Sequence, residues 1–245
     1  MIHSVLLCVL CAAFSHEVLF EEIHSQKHGY TLKLTNGWKV MPENQLQALQ
    51  GKTVKYDYGI NSDNPDDPFT YILLRTIPER VSNFTFDQIE KMLEREMNLK
   101  LAKKEIEKEN LQEVIHDVQL GTAVLDRKKK QIVFQIDMDI MGAVKLRCLG
   151  FGMIANDGIT YIYCYSPKET FKDRLAGFYK VADGFFFEAN RTYVEPSGGP
   201  LGNVINSSIN GGLIGGIIGG LVVAVLAIVK KLKRSSSTTS QDEVN

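Results

Sequence analysis

Residues 132–165 read IVFQIDMDIMGAVKLRCLGFGMIANDGITYIYCY, and they settle the class of the fold. Their first part alternates apolar with polar side chains, which indicates a half-buried β-strand. Two further strands, at 144–154 and 159–165, flank an Asn-Asp-Gly turn of the kind that closes hairpins. Because strands joined by short turns pair antiparallel, this stretch predicts an antiparallel sheet.

The sequence upstream and downstream predicts helices that cover this sheet. The first runs from Pro42 to about Gln50, and the second begins at Thr85, where Thr85 and Gln88 form a capping box. A third starts at 166–169, where Ser-Pro-Lys-Glu offers an N-cap, a first-turn proline and a capping-box glutamate. We therefore expect an α+β domain with an antiparallel sheet of six to seven strands, covered by two to three helices. The other predicted strands lie at 30–40, 54–60, 69–76 and 115–126.

The N-terminus has the features of a secretory signal. An apolar run is followed by small residues at Ala13 and Ser15, the positions that a signal peptidase reads before cleavage at His16. The run is too short to cross a hydrocarbon core of about 30 Å. We therefore predict a signal peptide over 1–15 and an extracytoplasmic location for the domain that follows.

The C-terminus predicts a membrane anchor. Residues 211–229 contain no charged side chain, and about 20 such residues at roughly 1.5 Å each match the thickness of the bilayer core. The Lys- and Arg-rich segment that follows marks the cytoplasmic side. The predicted organisation is a single-pass protein of the cell membrane with its C-terminus in the cytoplasm: an α+β domain over 16–192, a linker over 193–210, a transmembrane helix over 211–229 and a tail over 230–245.

The predicted transmembrane helix carries glycines at a spacing of four. Such ladders lie on one helix face, where two helices approach closely and gain dispersion contacts, so they favour a homo-oligomer formed through the membrane helix. The competing interpretation is that glycine is simply common in membrane helices. The two ladders consist of Gly211, Gly215 and Gly219, and of Gly212, Gly216 and Gly220.

Two of the four cysteines, Cys148 and Cys164, follow the predicted signal peptide. An oxidising compartment would allow them to form a disulfide. A three-residue loop between their strands would place them directly opposite each other, whereas a loop of two or four residues would place them on opposite faces. The alternative to pairing is two separate buried thiols that pack as small apolar side chains.

Composition and motifs exclude several functions. With 28 basic and 29 acidic residues the chain has a net charge of −1, which argues against a nucleic-acid partner. No GxSxG turn, phosphate-binding glycine loop or HExxH helix is found, and no cofactor is expected. His16, His24 and His28 precede the predicted core and are expected to belong to a solvated terminus rather than a metal site. A loop with three aspartates is also expected to be solvated, because their spacing does not fit a calcium loop: Asp63, Asp66 and Asp67.

The order of these predicted elements resembles that of the PsbP-like and DcrB-like family of ectodomains. The residues that carry the resemblance are YTLKLTNGWKV at 30–40, where Thr35 occupies the place of a frequent proline. An extended strand at 69–75 before a helix, and a closing helix that ends in Asp183-Gly184-Phe185, are also similar. The resemblance implies an α+β ectodomain that acts as a non-catalytic assembly or accessory protein at membranes, with no shared active site.

Three functional hypotheses follow from the sequence. The favoured one is a membrane-tethered interaction module, whose ectodomain binds a protein or small ligand near the membrane. The second is an extracytoplasmic enzyme with a site assembled from scattered residues such as His116 and the aspartates. The third is a structural oligomer organised by the transmembrane helix. A deep pocket that gathers the scattered residues would favour the enzyme.

Overall fold

The fold is seen in a computed structural model, which describes residues 21–50, 54–96, 103, 106–107, 114–142 and 144–197. Within these residues the chain forms an eight-stranded antiparallel sheet, a separate three-stranded antiparallel sheet and three helices with defined bounds. The predicted α+β class is therefore confirmed. The large sheet has one strand more than the upper expectation, and the small sheet was not expected at all.

The elements have the following bounds. The strands are β1 (Glu22–Ser25), β2 (Tyr30–Lys33), β3 (Trp38–Val40), β4 (Tyr58–Ser62), β5 (Tyr71–Pro78), β6 (Ile115–Leu120), β7 (Val124–Asp126), β8 (Gln131–Ile140), β9 (Val144–Ala155), β10 (Gly158–Pro167) and β11 (Phe185–Phe187). The helices are α1 (Glu43–Leu49), α2 (Phe86–Glu96) and α3 (Phe171–Asp183), with a 3₁₀ turn at Val81–Asn83.

The large sheet has the order β3-β4-β5-β10-β9-β8-β6, and β7 also pairs with β8. Its centre is the β8–β9–β10 meander predicted from residues 132–165. Gly158 pairs with Ala155, so only two residues form the turn between β9 and β10. A two-residue turn fixes the register of β9 and β10. On its other side β10 pairs with β5, so the start of β10 lies beside the end of β5.

Both faces of the large sheet are covered. On one face, α1 and α2 pack against a cluster that includes Tyr161, Tyr163 and Phe134. On the other face, α3 and the small sheet pack against Ile162 and its neighbours. Burial on both sides explains why nine of the ten residues of β10 are buried.

The small sheet has the order β1-β2-β11 and joins the two ends of the domain. Leu32 in its central strand pairs with Ile23 on one side and with Phe185 on the other. Tyr30 is fully buried and contacts Phe185, with ring centroids 4.9 Å apart. The histidine-containing segment predicted as a solvated terminus is therefore a structured hairpin from Glu22 onward, because its alternate apolar side chains complete the core.

The structure confirms the predicted start of α2 but not that of α3. The capping box of α2 is confirmed, since the Thr85 N–H donates to Gln88 Oε1 at 2.9 Å and the Gln88 N–H donates to Thr85 Oγ1 at 3.4 Å. The predicted cap of the third helix at Ser166 is wrong. β10 pairs with β9 as far as Pro167, and Ser166 is buried there and accepts a hydrogen bond from Thr70 Oγ1 at 3.1 Å. Because Ser166 and Pro167 belong to β10, α3 begins only at Phe171.

The C-terminal end of the domain extends further than predicted. Tyr193, assigned to the linker from the sequence, is fully buried, and its hydroxyl donates to the Phe84 carbonyl. The Phe86 N–H donates to Glu195 Oε1 at 2.8 Å, which fixes the chain to the start of α2. The ordered domain therefore reaches at least Glu195.

The predicted signal peptide at 1–15, transmembrane helix at 211–229 and tail at 230–245 all lie outside the described residues. Among the residues that the structure does describe, no helix combines the length and the apolar character needed to cross a bilayer.

Candidate ligand-binding cleft

A cleft of about 470 Å³ opens between the two sheets. It lies where the turn between β1 and β2 faces the end of β5 and the start of β10. This volume is within the range of about 300–1,000 Å³ that is typical of small-molecule sites. Its lining combines cationic, acidic, hydroxyl and apolar side chains: Lys27, His28, Lys55, Asp57, Arg75, Thr76, Pro78, Ala155, Asp157, Gly158, Thr160, Phe187 and Arg191.

The large sheet supplies two hydroxyl groups to the lining of this inter-sheet cleft. Thr76 in β5 pairs with Thr160 in β10, and their Oγ1 atoms lie 3.1 Å apart in a hydrogen bond. Only one of the two hydroxyl hydrogens is needed for that bond, so the pair can also donate a hydrogen to a bound group. Arg75, the neighbour of Thr76, pairs with Tyr161, so its side chain leaves the sheet on the opposite face.

A histidine and an aspartate join the two sheets inside the cleft. His28 Nε2 lies 3.2 Å from Asp57 Oδ1, an ion-pair distance without the alignment of a hydrogen bond, and the two side chains are 14% and 19% exposed. Asp57 is held in place because its Oδ2 accepts a hydrogen bond of 2.6 Å from the Thr76 N–H. The His28 ring also stacks on Tyr30, with centroids 6.3 Å apart. Both side chains are thus fixed by partners in their own sheets.

Arg191 closes the cleft on the side of the small sheet. Its guanidinium lies 3.1 Å from Asp157 Oδ2 in the turn between β9 and β10, and its side chain is 30% exposed. The aliphatic part crosses the β1–β2 turn so closely that a Cβ on Gly29 would lie 2.5 Å from Arg191 Cδ. Gly29 also has a φ of +54°, so this turn depends on glycine for both conformation and space.

The formal charges in the cleft are unequal. Without Arg75 and His28, the lining has three cationic side chains, Lys27, Lys55 and Arg191, and two carboxylates, Asp57 and Asp157. The excess of one positive charge contrasts with the net charge of −1 for the whole chain. The cleft therefore favours a polar ligand that carries at least one negatively charged group.

Two other cavities differ in charge or size. A cavity of about 490 Å³ beside α1 has Glu43 and Asp57 as its charged lining residues. A cavity of about 150 Å³ at the opposite end of the large sheet is lined by Asp117, Asp137 and Lys168, among others. The first lacks a cation and the second is small for an organic ligand, so the inter-sheet cleft is the stronger candidate.

Most residues singled out in the sequence are not brought together. His116 lies on the edge strand β6, whereas Asp63, Asp66 and Asp67 lie in the loop between β4 and β5. Four strand spacings of about 4.8 Å separate β5 from β6, so these groups are roughly 19 Å or more apart. Asp67 instead pairs with Arg174 Nη2 at 2.7 Å. The described residues contain no group of three or more metal-ligating side chains that could hold an ion.

The two cysteines are free thiols in the structure. Cys148 pairs in register with Tyr165, one position away from Cys164, and the two belong to the clusters on opposite faces of the sheet. The two-residue turn between their strands causes this offset. The disulfide considered for Cys148 and Cys164 is therefore not formed. Burial raises the pKa of both thiols above the usual value.

The residues of the cleft were largely missed because they come from distant parts of the sequence. His28 was assigned to a solvated terminus, and Asp57 and Arg191 stand in no recognisable motif. One usable signal was present: Gly29 follows His28 directly before an alternating apolar segment, which is typical of a hairpin turn. The glycine ladders at 211–220 lie outside the described residues.

No protein-family model matches the chain, and no curated protein is significantly similar to it in sequence. Among solved structures it is similar to PsbP (CyanoP) from Synechocystis sp. PCC 6803, with 13% identity over 69% of this chain and 92% of that chain and a TM-score of 0.49. It is also similar to the Ran-binding protein Mog1p of Saccharomyces cerevisiae, at 7% identity, 69% and 95% coverage and a TM-score of 0.41. A third similar structure is LpqN, described as involved in cell envelope biogenesis of Mycobacterium tuberculosis, at 12% identity, 68% and 90% coverage and a TM-score of 0.35. PsbP, to which the sequence motifs pointed, is thus among the structures that this fold resembles.

Proposed function

We propose that this chain is a single-pass, membrane-anchored, non-catalytic binding module that uses the inter-sheet cleft as its ligand site. The observation that carries the proposal is the cleft itself, a cavity of about 470 Å³ with an excess of cationic side chains over carboxylates. Sites for small ligands are typically concave and combine apolar walls with a few convergent polar groups. Here Phe187 and Pro78 supply apolar surface, and the threonine pair and the charged groups supply the polar part.

The predicted anchor determines where such a module would work. A signal peptide followed by one stop-transfer helix leaves the intervening domain outside the cytoplasm. The glycine ladders in the predicted span would pair two copies of the chain in the membrane. Replacing Gly215 and Gly216 by leucine should then abolish association in the membrane without unfolding the ectodomain, and unchanged association would exclude pairing through the ladders.

Site-specific photo-crosslinking tests the proposed ligand site in intact cells. We expect a benzoyl-phenylalanine in place of Lys55, an exposed residue on the rim of the cleft, to form a defined adduct on the full-length protein. The matched control carries the same group in place of Lys172, an exposed lysine on α3. β10 runs between these two regions, which separates them by roughly 30 Å. The same adducts at both positions, or none at position 55, would contradict a ligand site in the cleft.

An extracytoplasmic enzyme is the second candidate, and one contact favours it. The imidazole of His28 and the carboxylate of Asp57 lie 3.2 Å apart in the cleft, and a small rotation of either group would let the carboxylate orient the histidine for proton transfer. The same crosslinking experiment separates the two candidates. The adduct identifies the ligand, and the free ligand is then incubated with the full-length protein. A ligand that stays chemically unchanged supports a binding module, whereas conversion that depends on His28 supports the enzyme.

A further inference from the structure

We propose that the inter-sheet cleft binds a sugar acid, a polyhydroxylated ring with one carboxylate, supplied as a free hexuronate or as the end of an acidic polysaccharide. The inference rests on the proposed function and deepens it, because it names the chemical class of the ligand for the same cleft. Three features of the described residues lead to it: two lysines without an ion-pair partner, a floor of hydroxyl and imidazole groups, and an apolar patch beside them.

Two lysines of the lining are available to bind an anion. Arg191 is already paired with Asp157. By contrast, Lys27 and Lys55 are exposed, and neither has an ion-pair partner in the part of the chain that the structure describes. We therefore expect a negatively charged group of the ligand to bind these two lysines rather than Arg191.

The two lysines belong to opposite walls of the cleft. Lys27 lies in the β1–β2 turn of the small sheet. Lys55 lies in the segment before β4, where Val54 and Tyr56 pack in the cluster on the other face of the large sheet. Alternate side chains of an extended segment point to opposite sides, so Lys55 and Asp57 both point toward the cleft. A carboxylate bound between the walls offers one oxygen to each ammonium group.

The net charge of the lining matches one carboxylate. Without Arg75, and with His28 neutral, the three cations and two carboxylates of the lining leave one positive charge. A carboxylate carries one negative charge at pH 7, because the ordinary pKa of a carboxyl group is about 4. A phosphomonoester, with a charge of about −1.5 to −2, would overcompensate the lining.

The polar atoms on the floor of the cleft suit a ligand with hydroxyl groups. The pair of Thr76 and Thr160 retains a hydrogen for donation beyond its own hydrogen bond. His28 Nε2 is buried without a hydrogen-bond partner in the described chain, and Asp57 Oδ1 lies 3.2 Å from it. Because a hydroxyl both donates and accepts, the hydroxyls of one ring satisfy the carboxylate, the imidazole and the threonine pair together.

An apolar patch lies beside these polar groups. Phe187 packs against the cluster that joins the two sheets, and Pro78 and Ala155 also line the cleft. A sugar ring has an apolar face of C–H groups, which packs on such a surface while the edge of the ring makes hydrogen bonds. The three features together therefore select a sugar acid over a small carboxylate, which lacks the ring, and over a neutral sugar, which lacks the charge.

Calorimetric titration of the full-length protein in detergent micelles tests the inference with three probes. Galacturonate has the ring and the charge, galactose has the ring without the charge, and acetate has the charge without the ring. We expect saturable binding of galacturonate with one site per chain, about tenfold tighter than either comparison, and an affinity that falls as NaCl is added. No binding of galacturonate, or equal affinity for acetate or for galactose, would overturn the inference.

Charge-removing variants assign the binding to this cleft. Lys27→Gln and Lys55→Gln should each weaken galacturonate binding about tenfold, since each removes one charge-assisted contact. Both lysines are exposed, so neither substitution disturbs the fold. Lys172→Gln removes the same charge on α3 and should leave the affinity unchanged. Equal effects of Lys55→Gln and Lys172→Gln would overturn the assignment.

A hydroxyl-removing variant tests the contacts to the sugar ring. Thr76→Val keeps the shape of the side chain and should weaken galacturonate binding about fivefold, while the weaker binding of acetate stays unchanged. Thr70→Val is the matched control, because it removes a hydroxyl that donates to Ser166 Oγ at the other end of β5. It should leave both affinities unchanged. Equal losses for galacturonate and acetate in the Thr76 variant would contradict recognition of the ring by this pair.

An acidic oligosaccharide distinguishes the two sources of the sugar acid. If the cleft binds the end of a polysaccharide, trigalacturonate should bind about tenfold more tightly than galacturonate, because its further rings contact the surface outside the cleft. If the ligand is a free hexuronate, the oligosaccharide should bind no better than the single sugar. Both outcomes support a sugar-acid site, and failure of both ligands to bind contradicts it.

Failure of this inference is separable from failure of the proposed function. Binding of galacturonate in micelles does not require the chain to be anchored in a cell membrane. A cleft that gives a defined photo-adduct in cells but does not bind galacturonate would retain the binding module and reject the ligand class. A cleft that binds galacturonate while the chain washes off membranes would retain the site and reject the anchor.

Discussion

The β8–β9–β10 meander and the small sheet differ in how they are built. The meander has strands of ten, twelve and ten residues connected by short turns. The small sheet has strands of four, four and three residues, and β11 comes from the far end of the domain, after α3 in the chain. A long, locally connected ladder resists opening, whereas a short ladder closed by distant segments opens at lower free energy.

This difference gives the inter-sheet cleft two unlike walls. The start of β10 and the end of β5 belong to the large sheet and are held by extended pairing. The opposite wall, with His28 and Arg191, depends on the small sheet and on the segment that follows β11. A ligand that contacts both walls would stabilise the small sheet more than the meander.

The largest expected effect is a substitution in the meander. A Cβ on Gly150 would lie 2.0 Å from Cζ of Phe134, whose ring is buried, so Gly150→Ala forces this packed ring to shift. We expect a loss of about 3 kcal/mol in the free energy of unfolding, measured by urea denaturation of the full-length protein in micelles. Gly152→Ala is the matched control, since its nearest contact would be 3.1 Å, and it should cost clearly less.

The Gly150 prediction has a suppressor. Phe134→Leu removes the ring edge that a Cβ at position 150 would meet, so the double variant should recover part of the lost stability. Simple additivity of the two substitutions would contradict the packing explanation.

The next effect contrasts the two regions directly. Leu32→Ala in the small sheet and Leu146→Ala in the meander both truncate fully buried leucines, and each should cost about 2–3 kcal/mol. Only Leu32→Ala should also accelerate hydrogen exchange in β1, β2 and β11 beyond the change in global stability. Equal local exchange in the two variants would remove the proposed difference between the sheets.

A smaller effect depends on pH at the far end of the sheet. Burial disfavours the charged form of Asp137 and by itself would raise its pKa. Arg147 binds both carboxylate oxygens at 2.6 Å and Lys168 lies 2.9 Å away, so the pKa of Asp137 is lowered on balance. The carboxylate therefore adds stability above its unfolded pKa of about 3.9, and this stability is lost as the pH falls through the folded pKa.

The corresponding variant is Asp137→Asn. It should lower the free energy of unfolding by about 1–2 kcal/mol at pH 7 and by less at about pH 3, below the unfolded pKa, because the contribution of the carboxylate declines there. Urea denaturation at the two pH values measures this change. A loss of stability that is the same at both would show that the ion pairs are not its cause.

The smallest expected effect concerns Cys148 and Cys164. Because both thiols are buried, free and raised in pKa, neither should react with iodoacetamide at pH 8 in the folded protein, and both should react in denaturant. A reducing agent should leave the melting temperature unchanged. A fall in melting temperature on reduction would instead reveal a disulfide.

Sequence predicted the meander and missed the small sheet for one physical reason. The alternation in β8 and the short turn before β10 are local signals, so class, strand order and turn position could be inferred from neighbouring residues. The buried face of Leu32 exists only because Phe185, far along the chain, pairs with it. No local pattern reports such a pairing.

The same reason explains the candidate site. His28 and Asp57 are close in space only after the hairpin docks on the large sheet, so neither residue was predicted to be functional. Cys148 and Cys164 show the opposite case, where the sequence defined the alternatives and the length of one turn decided between them.

Hydrogen–deuterium exchange of the full-length protein tests most directly whether the small sheet opens more easily than the meander. We expect the backbone amides of β1, β2 and β11 to exchange faster than those of β8, β9 and β10, because the small sheet has shorter ladders. Equal protection of the two regions, or faster exchange in the meander, would contradict the account.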